Sequence, residues 1–208
     1  DSFTYAASDG AETSPETTVA INVVPPGPET GQITREVWTD VAGFSVDDLI
    51  ASPDYPDNPS EVGTLTRFDA PRDWGSSFGE RIHGYIHPPT NGNYTFWISS
   101  AARSRLSLGT DDDPANASLI CECPVSLSGT PESWDSNGSQ KSAPQALLAG
   151  QRYYIMALHK DAASSDHCSV AWDLAQPGTT NIIEGIYLSE ILPPVPATTN
   201  YADWSSWY

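Results

Sequence analysis

An all-β fold, a sandwich or barrel of antiparallel strands, is what this sequence predicts, and three observations carry the prediction. Short runs of alternating apolar and polar residues recur along the chain. Turn-forming clusters separate them, including Asn91-Gly92, Asp111-Asp112-Asp113-Pro114, Asn137-Gly138 and Ala149-Gly150. No segment between these runs has the length and 3.6-residue period of a crossover helix, so neighbouring strands are expected to run antiparallel.

The first run alternates Phe3 and Tyr5 with small polar residues, breaks at Ser8-Asp9-Gly10, and resumes over Thr18–Val24. It is expected to form a hairpin, which two strands alone do not stabilise. Pro25-Pro26-Gly27-Pro28 follows as a stiff linker. Arg35–Trp38 is a short strand. Ser45-Val-Asp-Asp-Leu-Ile fits one or two helical turns, with Ser45 as N-cap and Asp48 completing a capping box. Pro53, Pro56 and Pro59 make the next stretch a loop.

Strands are then expected at Glu61–Phe68, Arg81–His87, Tyr94–Ser99, Arg105–Leu108, Ser118–Cys123, Arg152–His159 and Ser169–Asp173. Gly84 marks a place where a neighbouring backbone or ring comes close. Asn91-Gly92 predicts positive φ in a hairpin turn. Tyr94, Phe96, Trp97, Tyr153 and Trp172 are large enough to dominate a small core. The expected division is a hairpin over 1–26, a linker over 27–30, a main domain over 31–194 and a further segment over 195–208. That last segment carries Tyr201, Trp204, Trp207 and Tyr208 among polar residues. Asp1-Ser-Phe-Thr-Tyr resembles the middle of a strand, so the chain is expected to be a piece of a longer protein.

Asp and Glu number 27 against 9 Lys and Arg, a formal net charge of −18. Nucleic acids need a basic face, and anionic membrane surfaces attract one, so both are excluded as partners. Diffuse acidity of this kind is usually a solvated surface. No apolar run is long enough to insert in a membrane as a helix, and no signal-like segment opens the chain. Three cysteines, Cys121, Cys123 and Cys168, cannot all pair within the chain. Cys121 and Cys123 share a strand face, and one of them could bridge to Cys168 if their strands lie side by side, but the expectation is small buried residues with at most one disulfide.

No enzyme constellation stands out. The chain has no Gly-x-Ser-x-Gly elbow, and His83, His87, His159 and His167 show no zinc-protease spacing. No carboxylate pair is singled out as glycosidase-like. The expectation is therefore a protein that is not an enzyme.

Several blocks in order, Arg81-Ile-His-Gly-Tyr-Ile-His-Pro-Pro-Thr-Asn-Gly-Asn-Tyr-Thr-Phe-Trp-Ile, then Leu106-Ser-Leu with Thr110-Asp-Asp-Asp-Pro-Ala-Asn, then Ser139-Gln-Lys-Ser-Ala-Pro and Leu148–Lys160, and finally Asp166-His-Cys-Ser-Val-Ala-Trp, resemble the lectin-like domain family named after anthrax protective antigen (the PA14 type). The opening hairpin resembles the end of a bacterial cadherin- or immunoglobulin-like repeat. The first resemblance implies a jelly-roll-like β-sandwich with short helical turns. It also implies a ligand site formed by two loops at one end.

In that family the first loop carries two adjacent aspartates that hold calcium, and calcium binds the sugar hydroxyls. Here Ala101 and Ala102 stand in their place. The second loop, Asp161–His167, keeps Asp166 as the one metal ligand, and Met156 stands where many members have Glu. Calcium binding is therefore expected to be weak or absent. The implied ligand-binding residues are Ser100, Ala101, Ala102, Arg103, Asp161, Ser165, Asp166 and His167, with Trp134 as a stacking residue. The implied function is a non-catalytic carbohydrate-binding module of a secreted or cell-surface bacterial protein. Its partner would be a polysaccharide or glycan, its binding weak or lost, and its setting a larger multidomain chain. The alternative is a structural or assembly module of a surface adhesin or fibre.

Overall fold

A computed structural model describes residues 2–8, 10–20, 30–124, 131–163, 165–173 and 178–191. The Pro25–Pro28 linker and the aromatic segment from 195 lie outside these residues. In chain order the strands are β1 (Ser2–Tyr5), β2 (Thr17–Ala20), β3 (Ile33–Trp38), β4 (Glu61–Leu65), β5 (Phe78–Ile86), β6 (Gly92–Tyr94), β7 (Phe96–Ser100), β8 (Arg103–Gly109), β9 (Ala117–Cys123), β10 (Gln145–Leu147), β11 (Tyr153–Asp161), β12 (Cys168–Trp172), β13 (Asn181–Ile182) and β14 (Leu188–Ser189). Among the described residues one α-helix, α1 (Val46–Ile50), and three short 3-10 turns complete the elements. Among the described residues no helix is long and apolar enough to cross a membrane.

The fold is a mostly antiparallel β-sandwich. Its large sheet runs β4-β3-β5-β11-β8-β9, with β14 also paired to β5. Facing it are the three-stranded β13-β12-β7 and the short pair β10-β6. β1 and β2 pair separately as the expected hairpin.

Between the layers lie Tyr94, Phe96, Ile98, Leu106, Ile155 and Trp172, all fully buried. Tyr94 stacks on Trp172 with ring centroids 5.0 Å apart. Gly84 has the close approach its strand position predicts: a Cβ there would collide with the Ser189 carbonyl oxygen of β14.

A second, smaller core lies on the outer face of the large sheet. There α1 packs Val46 and Leu49 against Trp38, Val41 and Leu158. Gly79 makes room, since a Cβ on it would stand 2.5 Å from Leu49 Cδ1. The capping box forms as the sequence predicts. Asp48 N donates to Ser45 Oγ at 3.2 Å, and Ser45 N donates to Asp48 Oδ2 at 2.8 Å.

One expectation needs correction. Neither Asn91 nor Gly92 takes positive φ, and no two-residue hairpin forms. The strands on either side belong to different layers, β5 to the large sheet and β6 to the small pair with β10. The link is therefore a crossing between layers. Tyr94 Oη donates to Thr90 O at 2.7 Å, and Asn91 Oδ1 accepts from Ala149 N. The cysteines are small buried residues as expected: β9 and β12 lie in different sheets, and all three thiols are free.

Acid should unfold the protein through ion pairs of the large sheet. Burial pushes the Glu36 carboxyl up, but hydrogen bonds from His83 and Arg81 and their charges outweigh it, leaving a pKa of about 2 against an ordinary 4.5. A depressed folded-state pKa stabilises above the unfolded value and is lost as pH falls toward the folded one. Thermal unfolding by circular dichroism should therefore show Tm falling between about pH 4.5 and about 2. Glu36→Gln should lower Tm at neutral pH and flatten that fall.

Candidate functional site

At one end of the sandwich the chain passes from the small layer to the large sheet. β7 ends at Ser100 and β8 begins at Arg103, leaving Ala101 and Ala102 as the link. The link is tight. Ser100 Oγ donates to Ala102 O at 2.5 Å and lies 2.8 Å from Ser104 Oγ. Ala101 N donates to His167 O at 3.1 Å, which joins the link to the second loop.

The second loop is anchored from below. β11 runs to Asp161, and β12 starts at Cys168. Between them Asp166 turns inward: its carbonyl accepts from Asp73 N and its Oδ2 from Gly75 N, each at 3.0 Å. Asp166 thereby ties residues 73–75 to the tip. Trp74 continues this contact, edge-on to Phe78 at 4.9 Å and beneath Arg35 at 5.0 Å. His167 is buried, and burial pushes its pKa down.

A cleft of about 320 Å³ opens beside the link. Ala102 and Arg103 form one wall, Lys160 to Ala163 the other, and Phe44 the rim. Arg103 is clamped by two backbone carbonyls, Nε donating to Pro124 O at 2.9 Å and Nη1 to Phe44 O at 3.0 Å. Lys160 is fully buried, and its Nζ donates to Asp161 O at 2.5 Å. Burial lowers the Lys160 pKa, against the charges of Asp161 and Asp48. Burial raises that of Asp161, although Ala163 N donates to its Oδ2 at 2.7 Å.

Of the residues singled out in the sequence, Ala102, Arg103 and Asp161 meet at this cleft. Ser100, Ala101, Asp166 and His167 are buried around it and hold its loops together. Ser165 is exposed, and the half-buried Trp134 is not among the lining residues. Phe44 and Lys160 line the cleft and were not singled out. Phe44 precedes the Ser45 cap, and an apolar residue beside a capping box is a signal that was there to read.

Calcium takes six to eight oxygens, and several of the groups at this tip are already bonded. Alanine side chains offer none. Ser100 Oγ is committed to Ala102 and Ser104, and Asp166 Oδ2 to Gly75 N. The Lys160 ammonium stands on Asp161 O.

Deeper in the sandwich, Glu80, His159 and Cys168 bring ligand-type atoms within 4.8 Å of one another. Arg35 already holds Glu80 Oε2 at 2.5 Å, and His159 Nδ1 lies 2.9 Å from Oε1. Burial pushes the Glu80 pKa up, but the bonds and charge of His159 and Arg35 prevail and it is lowered. The cluster is an ion-paired knot whose positive charge comes from the protein itself.

No family model matches the chain. The chain is 33% identical over 167 residues to N-acetyl-beta-glucosaminyl-glycoprotein 4-beta-N-acetylgalactosaminyltransferase 1 of Mus musculus. That stretch is 76% of this chain and 16% of the mouse protein, so the chain spans only a small part of its relative.

Solved structures share the fold at low identity. The PA14 domain of the MpAFP antifreeze protein matches at a TM-score of 0.59 and 12% identity, covering 82% of this chain and 96% of that one. The PA14 sugar-binding domain from an RTX adhesin matches at 0.57 and 10%, covering 77% and 99%. The A domain of epithelial adhesin 6 from Candida glabrata, solved with Galβ1-3GlcNAc, matches at 0.56 and 13%, covering 79% and 88%. The fold is thus that of a PA14-type lectin-like β-sandwich.

Asp166→Ala should release residues 73–75 and leave the Gly75 amide without its partner. The expected loss is about 1–2 kcal/mol, measured by urea unfolding, with the far-ultraviolet spectrum of the folded protein unchanged.

Proposed function

We propose that the chain is a non-catalytic carbohydrate-binding module of a secreted or cell-surface protein. Its sugar site is the cleft between the Ala101-Ala102 link and the loop after β11. The observation that carries this reading is the cleft itself. It lies where two loops of a lectin-like sandwich meet, with hydrogen-bonding groups on both walls and an aromatic ring at the rim. The likeness to sandwiches that bind sugars supports it. The mouse relative, of which the matching stretch is 16%, supports a module carried within a larger protein.

Binding is proposed to be independent of calcium, because alanines occupy the link and the neighbouring oxygens are already bonded. A shallow site without a metal gives weak binding, with Kd on the order of 0.1–1 mM.

Calorimetric titration with glycans in chelator and in excess calcium should give the same weak affinity in both. The double variant Ala101→Asp/Ala102→Asp tests the metal separately. If the variant gains calcium-dependent sugar binding while the parent binds nothing, the parent is a disabled lectin. If neither binds any glycan, the sugar-binding reading fails and the assembly module of an adhesin or fibre takes its place.

A further inference from the structure

Acids outnumber bases three to one in this chain, so a basic side chain without an acid beside it stands out. Of the nine Lys and Arg, six arginines lie within 3.7 Å of a carboxylate: Arg35, Arg67, Arg72, Arg81, Arg105 and Arg152. Lys141 lies over the Trp97 ring at 5.2 Å. The remaining two are Arg103 and Lys160. Neither has a carboxylate at ion-pair distance among the described residues, and both line the same cleft.

Chance placement is a poor account of this pair. Lysine is almost never fully buried unless it is paired, because desolvating an ammonium is costly. Lys160 is fully buried, yet one carbonyl is its hydrogen-bond partner. The charges of Asp48 and Asp161 reach Lys160, but neither carboxylate stands at ion-pair distance, and each is hydrogen-bonded to backbone or side-chain donors of its own loop. Asp48 Oδ2 accepts from Phe44 N, Ser45 N and Ser45 Oγ, and Asp161 Oδ2 from Ala163 N. Arg103 has five N–H donors, two of them held by carbonyls. Arg103 is thus fixed in place by backbone contacts with donors to spare, and Lys160 adds a buried positive charge behind the same cleft.

A wider hollow of about 510 Å³ beside Trp172 lacks this feature, since its one cation, Arg67, lies 3.7 Å from Asp69. Phe44 adds the other half of a sugar site. Its amide is held by Asp48 and its carbonyl by Arg103, while its ring is 71% exposed at the rim.

We propose that the cleft receives an acidic glycan, a sugar bearing a carboxylate or a sulfate. Its anionic group meets the remaining N–H donors of Arg103, over the buried charge of Lys160, and the apolar face of its ring lies on Phe44. The inference rests on the carbohydrate-binding reading above and names the ligand class of that site. Arg103 and Lys160 supply the positive charge from the protein, so the anion needs no bridging metal. The negative field of the rest of the chain is screened within about 8 Å at physiological salt, whereas contacts inside the cleft are screened much less.

The test is calorimetric titration, in chelator throughout, of a neutral disaccharide such as Galβ1-3GlcNAc and of its sialylated and sulfated derivatives. At low salt at least one acidic form should bind about tenfold tighter than the neutral parent. The sialylated and sulfated arms tell which anion the cleft takes. The advantage should shrink between about 50 mM and about 500 mM salt.

Arg103→Met should bring the acidic glycans down to the neutral level. Phe44→Ala, at an exposed position, should weaken acidic and neutral forms alike by about fivefold without changing Tm. Lys160→Met should act as Arg103→Met does. Should that buried variant fail to fold, the salt dependence and the Arg103 and Phe44 variants still decide. Equal affinity for neutral and acidic glycans overturns the inference and leaves the module reading standing. No binding of any glycan overturns both.

Discussion

The nine-residue pairing of β11 with β5, with β8 on the other edge of β11, is the constraint on which the rest of the structure depends. It fixes which way every side chain near the tip points, because strand residues alternate between faces. Ile155, Ala157 and His159 face the interior, while Leu158 packs with α1 on the outside. Lys160 follows the outward alternation and ends beneath the segment that leads into α1. A slip of one residue would exchange the two faces. It would then put Lys160 in the core and remove His159 from Glu80.

The tip is built by spending polar groups on the protein's own backbone. Ser100, Asp166 and Arg103 each bond carbonyls or amides of neighbouring segments. Such bonds hold loops that have no regular strand partners. They also withdraw those atoms from any ligand shell. The same residues that the family resemblance marks as ligand-facing here hold the loops in position. The cleft's free chemistry is left to the remaining donors of Arg103 and the ring of Phe44, with the buried charge of Lys160 behind them.

Much of this architecture was legible in the sequence because local rules and packing agree there. The Ser45/Asp48 capping box, the close approach at Gly84 and the burial of Tyr94, Phe96 and Trp172 all follow from residue type and position. The Asn91-Gly92 turn was misread because its signal is local, whereas the outcome depends on whether the flanking strands are sheet neighbours. They belong to different layers, so no tight hairpin is needed. At the site, Arg103 and Asp161 were legible from the block pattern. Lys160 was not. A lysine near a strand end looks solvated, and its burial comes from α1 and the Phe44 segment covering the outer face, a contact between residues more than a hundred positions apart. Trp134 had the right chemistry for stacking, but its position follows from loop packing that no local pattern encodes.

The three buried sulfurs carry a different consequence. Burial drives Cys121 up to about 12 and Cys168 well above the ordinary thiol value, and neither is bonded to another cysteine. Reaction needs the thiolate, which these surroundings suppress. The sandwich is therefore held together without covalent cross-links. It should keep its shape equally well in glutathione-rich and oxygen-exposed surroundings, since deep burial, not pairing, keeps its sulfurs inert.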